Sequence, residues 1–514
     1  MWEAYVPDSL FKIAMGVLSK WARSLRRTRA AMAGSGWLRF GGARSLRLPV
    51  LYRAQAACGT ARFRALSRSG AGLLCGIMTA MGNERKTLAI IGGGAAGLAA
   101  AVTAARELRA IGAGEGAAIE VVEADERVGR SILATGNGRC NFSNARIDAG
   151  VYRNAEFVGE ALRALAGPAA GGPSAGKQSP HVGDPVLAFF ADLGLAWREE
   201  GEGRLYPMAN KASVVLDVLR SAARDLGVAE VCACAVEEIV VPERPGGRFH
   251  LRCAGGAVRH ADAVIVAVGG APAEGLLPPA FPRVPTQAVL GPLRTDTAVV
   301  RQLDNIRVRC AVSLVRPGSG GGEPVAREEG ELLFRSYGVS GIAVFNLSRF
   351  AEPGDALVVD FLPQVDAHGA EGLVRARRKR LAAQGRTFSG EDVLRGLLLP
   401  PVARAVLKRA GLVPEAPLAK GDAPALARAL KAFSLTVEGV GDARQCQVAR
   451  GGLDVGAFDP ATMEARALPG LFAVGEALDV DAPCGGYNLH WAWATGILAA
   501  RTAAARLVEG AAHA

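Results

Sequence analysis

The sequence predicts an α/β fold, a parallel sheet interrupted by an inserted β-rich and helical portion, on three observations. Thr87-Leu-Ala-Ile-Ile-Gly-Gly-Gly-Ala-Ala-Gly-Leu98 passes from a short apolar strand through closely spaced glycines into an alanine-rich helical pattern. Beyond Gly270 the pattern changes to short strand-like runs, Val299–Leu303, Arg307–Leu314, Gly330–Phe334, Gly341–Phe345 and Ala356–Asp360, separated by Gly/Pro turns, and then to a helical stretch. Residues 440–510 return to a strand followed by a long helix. Such a chain reads as a Rossmann-like domain in two parts, 86–275 and 440–510, with an inserted domain over 276–435 that divides into a β-barrel at about 290–362 and helices at about 370–433.

The first element carries the strongest local chemistry. Gly92, Gly94 and Gly97 fall on the G-x-G-x-x-G spacing. Gly92 permits the tight turn, Gly94 lets the backbone approach a pyrophosphate, and Gly97 lets the following helix pack against the strand. Ala95 and Ala96 open that helix, expected over 94–111, whose positive end favours phosphate. In a chain with 65 glycines the spacing alone is a weak signal. It is strengthened by a second strand, Ala118–Val122, ending in Glu123, where an acid is placed to accept hydrogen bonds from ribose hydroxyls.

Charge sets further limits. The 514 residues carry a formal charge of +11 and are 50% apolar. Residues 1–80 hold 13 Lys and Arg but only Glu3 and Asp8 as acids, which leaves 47 basic and 47 acidic residues from residue 81 onward. The folded part is therefore expected to be neutral, without a nucleic-acid partner. The first eighty residues show no sustained period and are excluded from the fold; they read as an over-called start before Met78 or Met81, a targeting segment, or a disordered basic arm. The nine cysteines are scattered without a C-x-x-C pair or a Cys/His cluster, which points to a reducing cytoplasm and no metal site. No apolar stretch is long enough to span a bilayer. Oligomeric state is left open.

Next comes Gly129-Arg-Ser-Ile-Leu-Ala-Thr-Gly-Asn-Gly-Arg-Cys-Asn-Phe-Ser-Asn144. Its glycines, arginines and asparagines, with few large apolar groups, suit backbone wrapped closely around a ligand. Arg130 and Arg139 are candidates to pair with phosphate. The stretch resembles a signature of the bacterial NAD(P)/FAD-dependent oxidoreductase family that includes a bile-acid dehydro-intermediate reductase and aminoacetone oxidase-like flavoproteins. Ser131 stands where that family commonly has Lys. Gly203-Arg204…Pro207, Glu331–Ile342 and Leu347-Ser-Arg349 also match the family, whereas the segment between Gly270 and Pro292 is shorter than usual.

The resemblance implies a two-dinucleotide-binding flavoprotein with non-covalent FAD. Candidate cofactor contacts are Gly92, Gly94, Ala95, Ala96, Gly97, Glu123, Arg130, Gly136, Asn137, Gly138, Arg139, Cys140, Asn141, Val236 over the adenine, and Gly269 at a second turn. They continue in the second part with Gly475, Glu476, Asp479, Gly486, Tyr487 and Asn488. There Gly470–Asp481 reads as a strand ending at Gly475-Glu476, followed by Cys484–Gly496 and a helix to about Val508. An acid at that strand end is expected to hold the ribityl chain, and the helix N-terminus to face the flavin pyrimidine edge, where reduction places negative charge. Trp491 and Trp493, at helical spacing, read as core. Tyr487 and His490 are the candidate catalytic groups, ahead of Tyr206 and Tyr337.

The expected activity is hydride transfer from reduced flavin to an enone-type apolar small molecule, with NAD(P)H as transient reductant, since no second nucleotide fingerprint follows. The alternatives are an aminoacetone-like amine oxidase and, from other classes, a flavin-dependent RNA-modifying protein or a non-catalytic flavin-binding protein.

Overall fold

Leu88, Ala89, Ile90 and Ile91 are each at most 2% exposed, so this strand is covered on both faces, as a central parallel strand must be. In the structure, a computed structural model that describes residues 85–167, 183–244, 246–318, 323–385 and 387–512, it is β1 (Lys86–Ile91). It lies between β2 (Ala117–Val122) and β4 (Ala263–Val266); β3 (Ala229–Val231) extends one edge and β11 (Leu471–Ala473) the other. All four pairings are parallel, Ile91 standing opposite Val122 on one side and Val266 on the other. The reading of residues 1–80 lies outside the described residues, as does that of the Gly/Pro/Ser-rich stretch 167–182 as a surface loop, apart from Gly167.

Two helices cover one region of this sheet. Helix α1 (Ala95–Ala110) is buried along most of its length by small residues. Helix α3 (Tyr487–Ala512) packs against it so closely that a Cβ on Gly496 would lie 2.4 Å from the Ala96 carbonyl oxygen. The alanine-rich composition of α1 is thus a packing requirement.

An antiparallel ribbon of Arg283–Val289 and Val448–Leu453 leads to and from the insertion. The insertion is a closed six-stranded barrel with the order β5 (Leu293–Thr295), β8 (Gly338–Ser340), β7 (Ala326–Arg335), β6 (Arg307–Val315), β9 (Ala356–Asp360), β10 (Phe433–Val440). It has its own core, including Leu293, Leu332, Phe334, Leu357 and Leu435. The barrel therefore borrows its last strand from beyond the helical stretch, whose helices run from Ala367–Ala383 to Ala423–Lys431.

Two strand-like runs are helical instead. Val299–Leu303 is divided between a helical turn and a 3-10 turn, and Gly341–Phe345 begins helix α2 (Ile342–Ser348). A short apolar run has no period of its own to distinguish helix from strand. At Gly341, φ is +104° and a Cβ would meet the Glu331 carbonyl oxygen at 2.4 Å, so the chain turns off the barrel there.

Candidate functional site

The turn after β1 is built on close backbone contacts. Gly92 has φ +102°, and a Cβ on Gly97 would lie 1.9 Å from the Gly92 carbonyl oxygen. Gly94 caps α1 without a side chain and the first turn has no acid, so the helix presents its positive end to this turn. Ala95 is half-buried and Ala96 buried. Glu123, just beyond β2, accepts from the Gly93 amide at 2.7 Å and the Asp125 amide at 2.8 Å, which brings its carboxylate against the turn.

The segment that follows has an unusual backbone. Gly136, Asn137, Gly138 and Cys140 all have positive φ, which costs a non-glycine residue free energy and is found where a binding geometry is imposed. Cys140 is buried, and burial pushes its thiol up to about 11, against a hydrogen bond with Thr135. The side-chain oxygen of Asn141 is buried and has no hydrogen-bond partner.

The arginines are otherwise engaged. Arg130 is paired with Asp125 at 2.6 Å. Arg139 donates to Glu200 and Asn210, both at 2.5 Å, and stacks on Tyr206. In the structure both side chains brace the loop.

At the other end of the chain, Gly475 takes φ +61° beside Ala96, and Glu476 accepts from the Ala449 amide at 2.9 Å. Burial pushes the Glu476 carboxyl up, opposed by the amides of Ala449 and Gly270. Asp479 is 3% exposed and accepts from Arg153 (2.8 Å) and the Gly451 amide (2.9 Å), while Asn488 clasps Ala482 through both its amide atoms. Both side chains are engaged in holding the loop. The same holds for His490, which is buried with Nδ1 2.9 Å from Ser143 Oγ, and burial pushes its pKa down. It is packed in the core at the start of α3. Trp491 and Trp493 are buried and donate to the Gly475 and Phe142 carbonyls.

Tyr487, in contrast, is half-exposed at the start of α3; burial pushes its phenol up, with Asp148 adding and Arg146 and Arg204 opposing. The glycines before it join the two halves of the site. A Cβ on Gly486 would lie 2.2 Å from the Ser143 carbonyl oxygen and 3.0 Å from Asn141 Oδ1, and Asn144 donates to the Gly485 carbonyl at 2.9 Å. Val236 is half-buried on a separate three-stranded sheet, and Gly269, φ +82°, ends the turn after β4.

An FAD cofactor fits what is present: a glycine turn at a helix N-terminus, an acid beside it, a left-handed loop with an orphaned amide oxygen, and a second glycine pair facing that oxygen. Tyr206 stacks on Arg139 and its ring edge would lie 3.7 Å from a Cβ on Gly136, whereas the Tyr337 carbonyl accepts from the Thr295 amide in the barrel. Residues missed from the sequence brace the junction with the barrel. Arg349, after α2, donates to Asp481 at 2.6 Å, and Arg450 reaches the same carboxylate at 3.1 Å. Leu347-Ser-Arg349 was visible as a motif, but nothing local told which acid it would meet.

The chain matches the HI0933-like protein Rossmann domain over residues 86–502. It is 31% identical to a 3-dehydro-bile acid delta(4,6)-reductase of Clostridium scindens over 82% of this chain and 99% of that protein. It is also 28% identical to a ribosomal RNA dihydrouridine synthase of Escherichia coli, over 80% of this chain and 96% of that one. A protein of the same description from Haemophilus influenzae is 25% identical, over 79% and 95%. With a Rossmann-type parallel sheet, an inserted closed barrel and a match across most of its length, the chain belongs to the HI0933-like Rossmann-domain family of flavoprotein oxidoreductases.

Proposed function

We propose that this protein is an FAD-dependent reductase that saturates a carbon–carbon double bond conjugated to a carbonyl, with an apolar, steroid-like dienone as substrate and NAD(P)H as transient reductant. The observation that carries this reading is the convergence of the two glycine-lined segments at Gly486 and Ser143, directly before the half-exposed Tyr487. The resemblance to a bile-acid reductase along nearly that protein's whole length supports the substrate class. When bound, FAD supplies hydride chemistry that no protein side chain offers.

The chain's own residues then have defined tasks. Glu123 and the N-terminus of α1 hold the adenosine and pyrophosphate side; Asn141, Glu476 and the Gly485-Gly486 pair line the ring side. Hydride addition at the far end of an enone moves negative charge to the carbonyl oxygen, which calls for a donor placed there in advance. The Tyr487 hydroxyl, half-exposed at the start of α3, is that donor. It also stands at the positive end of a long helix, where an anion is favoured.

A second reading has its own support. Uridine in RNA presents the same chemistry, a double bond conjugated to a carbonyl, and two relatives are named for reducing it. Although residues beyond 80 are neutral in sum, residues 366–431 carry 13 Lys and Arg against six Asp and Glu. On the helix Ala367–Ala383, Lys379 and Arg380 are exposed. A localised basic surface is what phosphate contacts need.

Mass analysis of anaerobic reactions separates the two. Incubated with NAD(P)H, a 4,6-dien-3-one steroid is expected to gain two hydrogens. Gain of two hydrogens only by uridine in ribosomal RNA would establish the second reading, and no gain by either would overturn the shared chemistry.

A further inference from the structure

Saturating a conjugated double bond takes a proton at carbon as well as a hydride, and the donor at the carbonyl oxygen does not provide it. At the junction of the two cores Glu328 stands outside the Arg349–Asp481–Arg450 ion pairs. Glu328 lies on β7, on the face that carries the buried Leu332 and Phe334 further along the strand, and is itself half-buried. Its Oε2 accepts from Asn346 Nδ2 at 3.1 Å. Asn346 belongs to α2, is 9% exposed, and accepts through Oδ1 from the Cys484 amide at 2.9 Å. One side chain therefore ties the barrel's carboxyl to the residue that precedes Gly485, Gly486 and Tyr487.

The surroundings are shared with the site. Burial pushes the Glu328 carboxyl up; the Asn346 hydrogen bond and Arg349 oppose, and Glu202 adds. Glu202 and Arg204 also act on Tyr487. Arg204, Glu328 and Arg349 act on Cys484, whose thiol burial pushes up to about 12. Arg349 does not claim Glu328, because its guanidinium is committed to Asp481 and to the Val151 carbonyl. Glu202 is itself paired with Arg204. Glu328 is thus tied through the neutral Asn346 amide to Cys484, three residues before Tyr487.

We propose, building on the reductase reading, that Glu328 is the acid that protonates the substrate carbon and that Asn346 is its positioning residue. Once a hydride has been added at the β-carbon, the resulting enolate takes the carboxyl proton at its α-carbon. The O–H bond of Glu328 breaks, the new C–H bond forms, the carbonyl is restored, and the carboxylate left behind is reprotonated from water. Electrons come from NAD(P)H, so the balance closes at one hydride and one proton per double bond. The inserted barrel would then supply a reacting group as well as walls, and substrates would be sandwiched between the two cores.

Glu328→Gln tests this in the FAD-loaded full chain, because the amide keeps an acceptor for Asn346 and loses only the proton. Turnover of the dienone is expected to fall by about 10²–10⁴-fold, the usual weight of a positioned acid. In heavy water the wild type should place one deuterium at the α-carbon with a single stereochemistry, and the variant should lose that selectivity. A readout independent of turnover is the binding of a substituted phenol, a planar mimic of the enolate, followed by its perturbation of the flavin spectrum. Phenolate affinity of the wild type should fall as Glu328 ionises, and the variant should lack that step.

Wild-type rate and stereochemistry in Glu328→Gln, or an unchanged pH step in phenol binding, would overturn the proposal, as would a wild type that binds no phenol. If Glu328→Gln lost flavin, Glu328→Asp decides: it should keep the pH step while lowering the rate, and loss of the rate without the step would contradict the assignment. Asn346→Asp should shift the pH step, which a merely structural Asn346 would leave in place. Failure of the wild type on both dienone and RNA would instead refute the reductase reading, and the phenol titration would remain interpretable.

Discussion

Gly486 packs against Ser143 so tightly that a Cβ would lie 2.2 Å from the Ser143 carbonyl oxygen. The two residues come from opposite ends of the organised chain, and their contact closes the cradle around Asn141. Gly486 also has φ +96°, a conformation that costs other residues about 1–3 kcal/mol. Gly486→Ala is therefore expected to weaken FAD binding at least tenfold, about 1.4 kcal/mol, measured as flavin retained after dialysis. Full retention would show that the contact does not shape the site.

Asp481 is fully buried between Arg349 and Arg450. Its neutralisation leaves the buried Arg349 and the half-buried Arg450 without their counter-ion, so Asp481→Asn should destabilise the protein by about 3 kcal/mol in denaturant unfolding. A loss below about 1 kcal/mol would mean that water reaches this junction.

His490 gives a pH signature. Its folded pKa lies below the ordinary value of 6.5, so folded and unfolded chains are both neutral at this residue above that value. Below it the unfolded chain takes up a proton that the folded chain refuses, and stability is lost as pH falls toward the folded pKa. Thermal unfolding should thus drop from pH 7 to pH 5 more steeply in the wild type than in His490→Gln. Parallel curves would place the titration elsewhere.

Flavin should be held without a covalent bond. A thiol must ionise to attack, and burial raises the two cysteines nearest the cradle, Cys140 to about 11 and Cys484 to about 12. Denaturation is expected to release all of the flavin into the supernatant; colour kept on the polypeptide would contradict this.

What was legible in the sequence follows from where each signal resides. β1, β2 with Glu123, and the glycine turn were readable because a buried parallel strand and a fixed glycine spacing are local. β9, an antiparallel barrel strand, was readable at Ala356–Asp360 because a short apolar run bounded by turns is likewise local. The roles of Arg130, Arg139, Asp479, Asn488 and His490 were not, since a polar side chain shows its type in the sequence but not which neighbour it meets. Arg139 meets Glu200 across the fold, and Asp479 meets Arg153. The sixth barrel strand, Phe433–Val440, was hidden because its partners β5 and β9 lie far upstream. Glu328 went unremarked in an acidic run, Glu328-Glu329-Gly330-Glu331, in which only the fold shows which carboxyl turns inward.

The central claim is tested most directly by stopped-flow mixing without oxygen. The FAD-loaded protein is first reduced with NADH or NADPH, then mixed with a 4,6-dien-3-one steroid. The account predicts bleaching of the flavin in the first step, and in the second its recolouring with loss of one dienone per flavin. Reduced flavin that persists in the presence of both the dienone and uridine-containing ribosomal RNA, and is reoxidised only by oxygen, would contradict it.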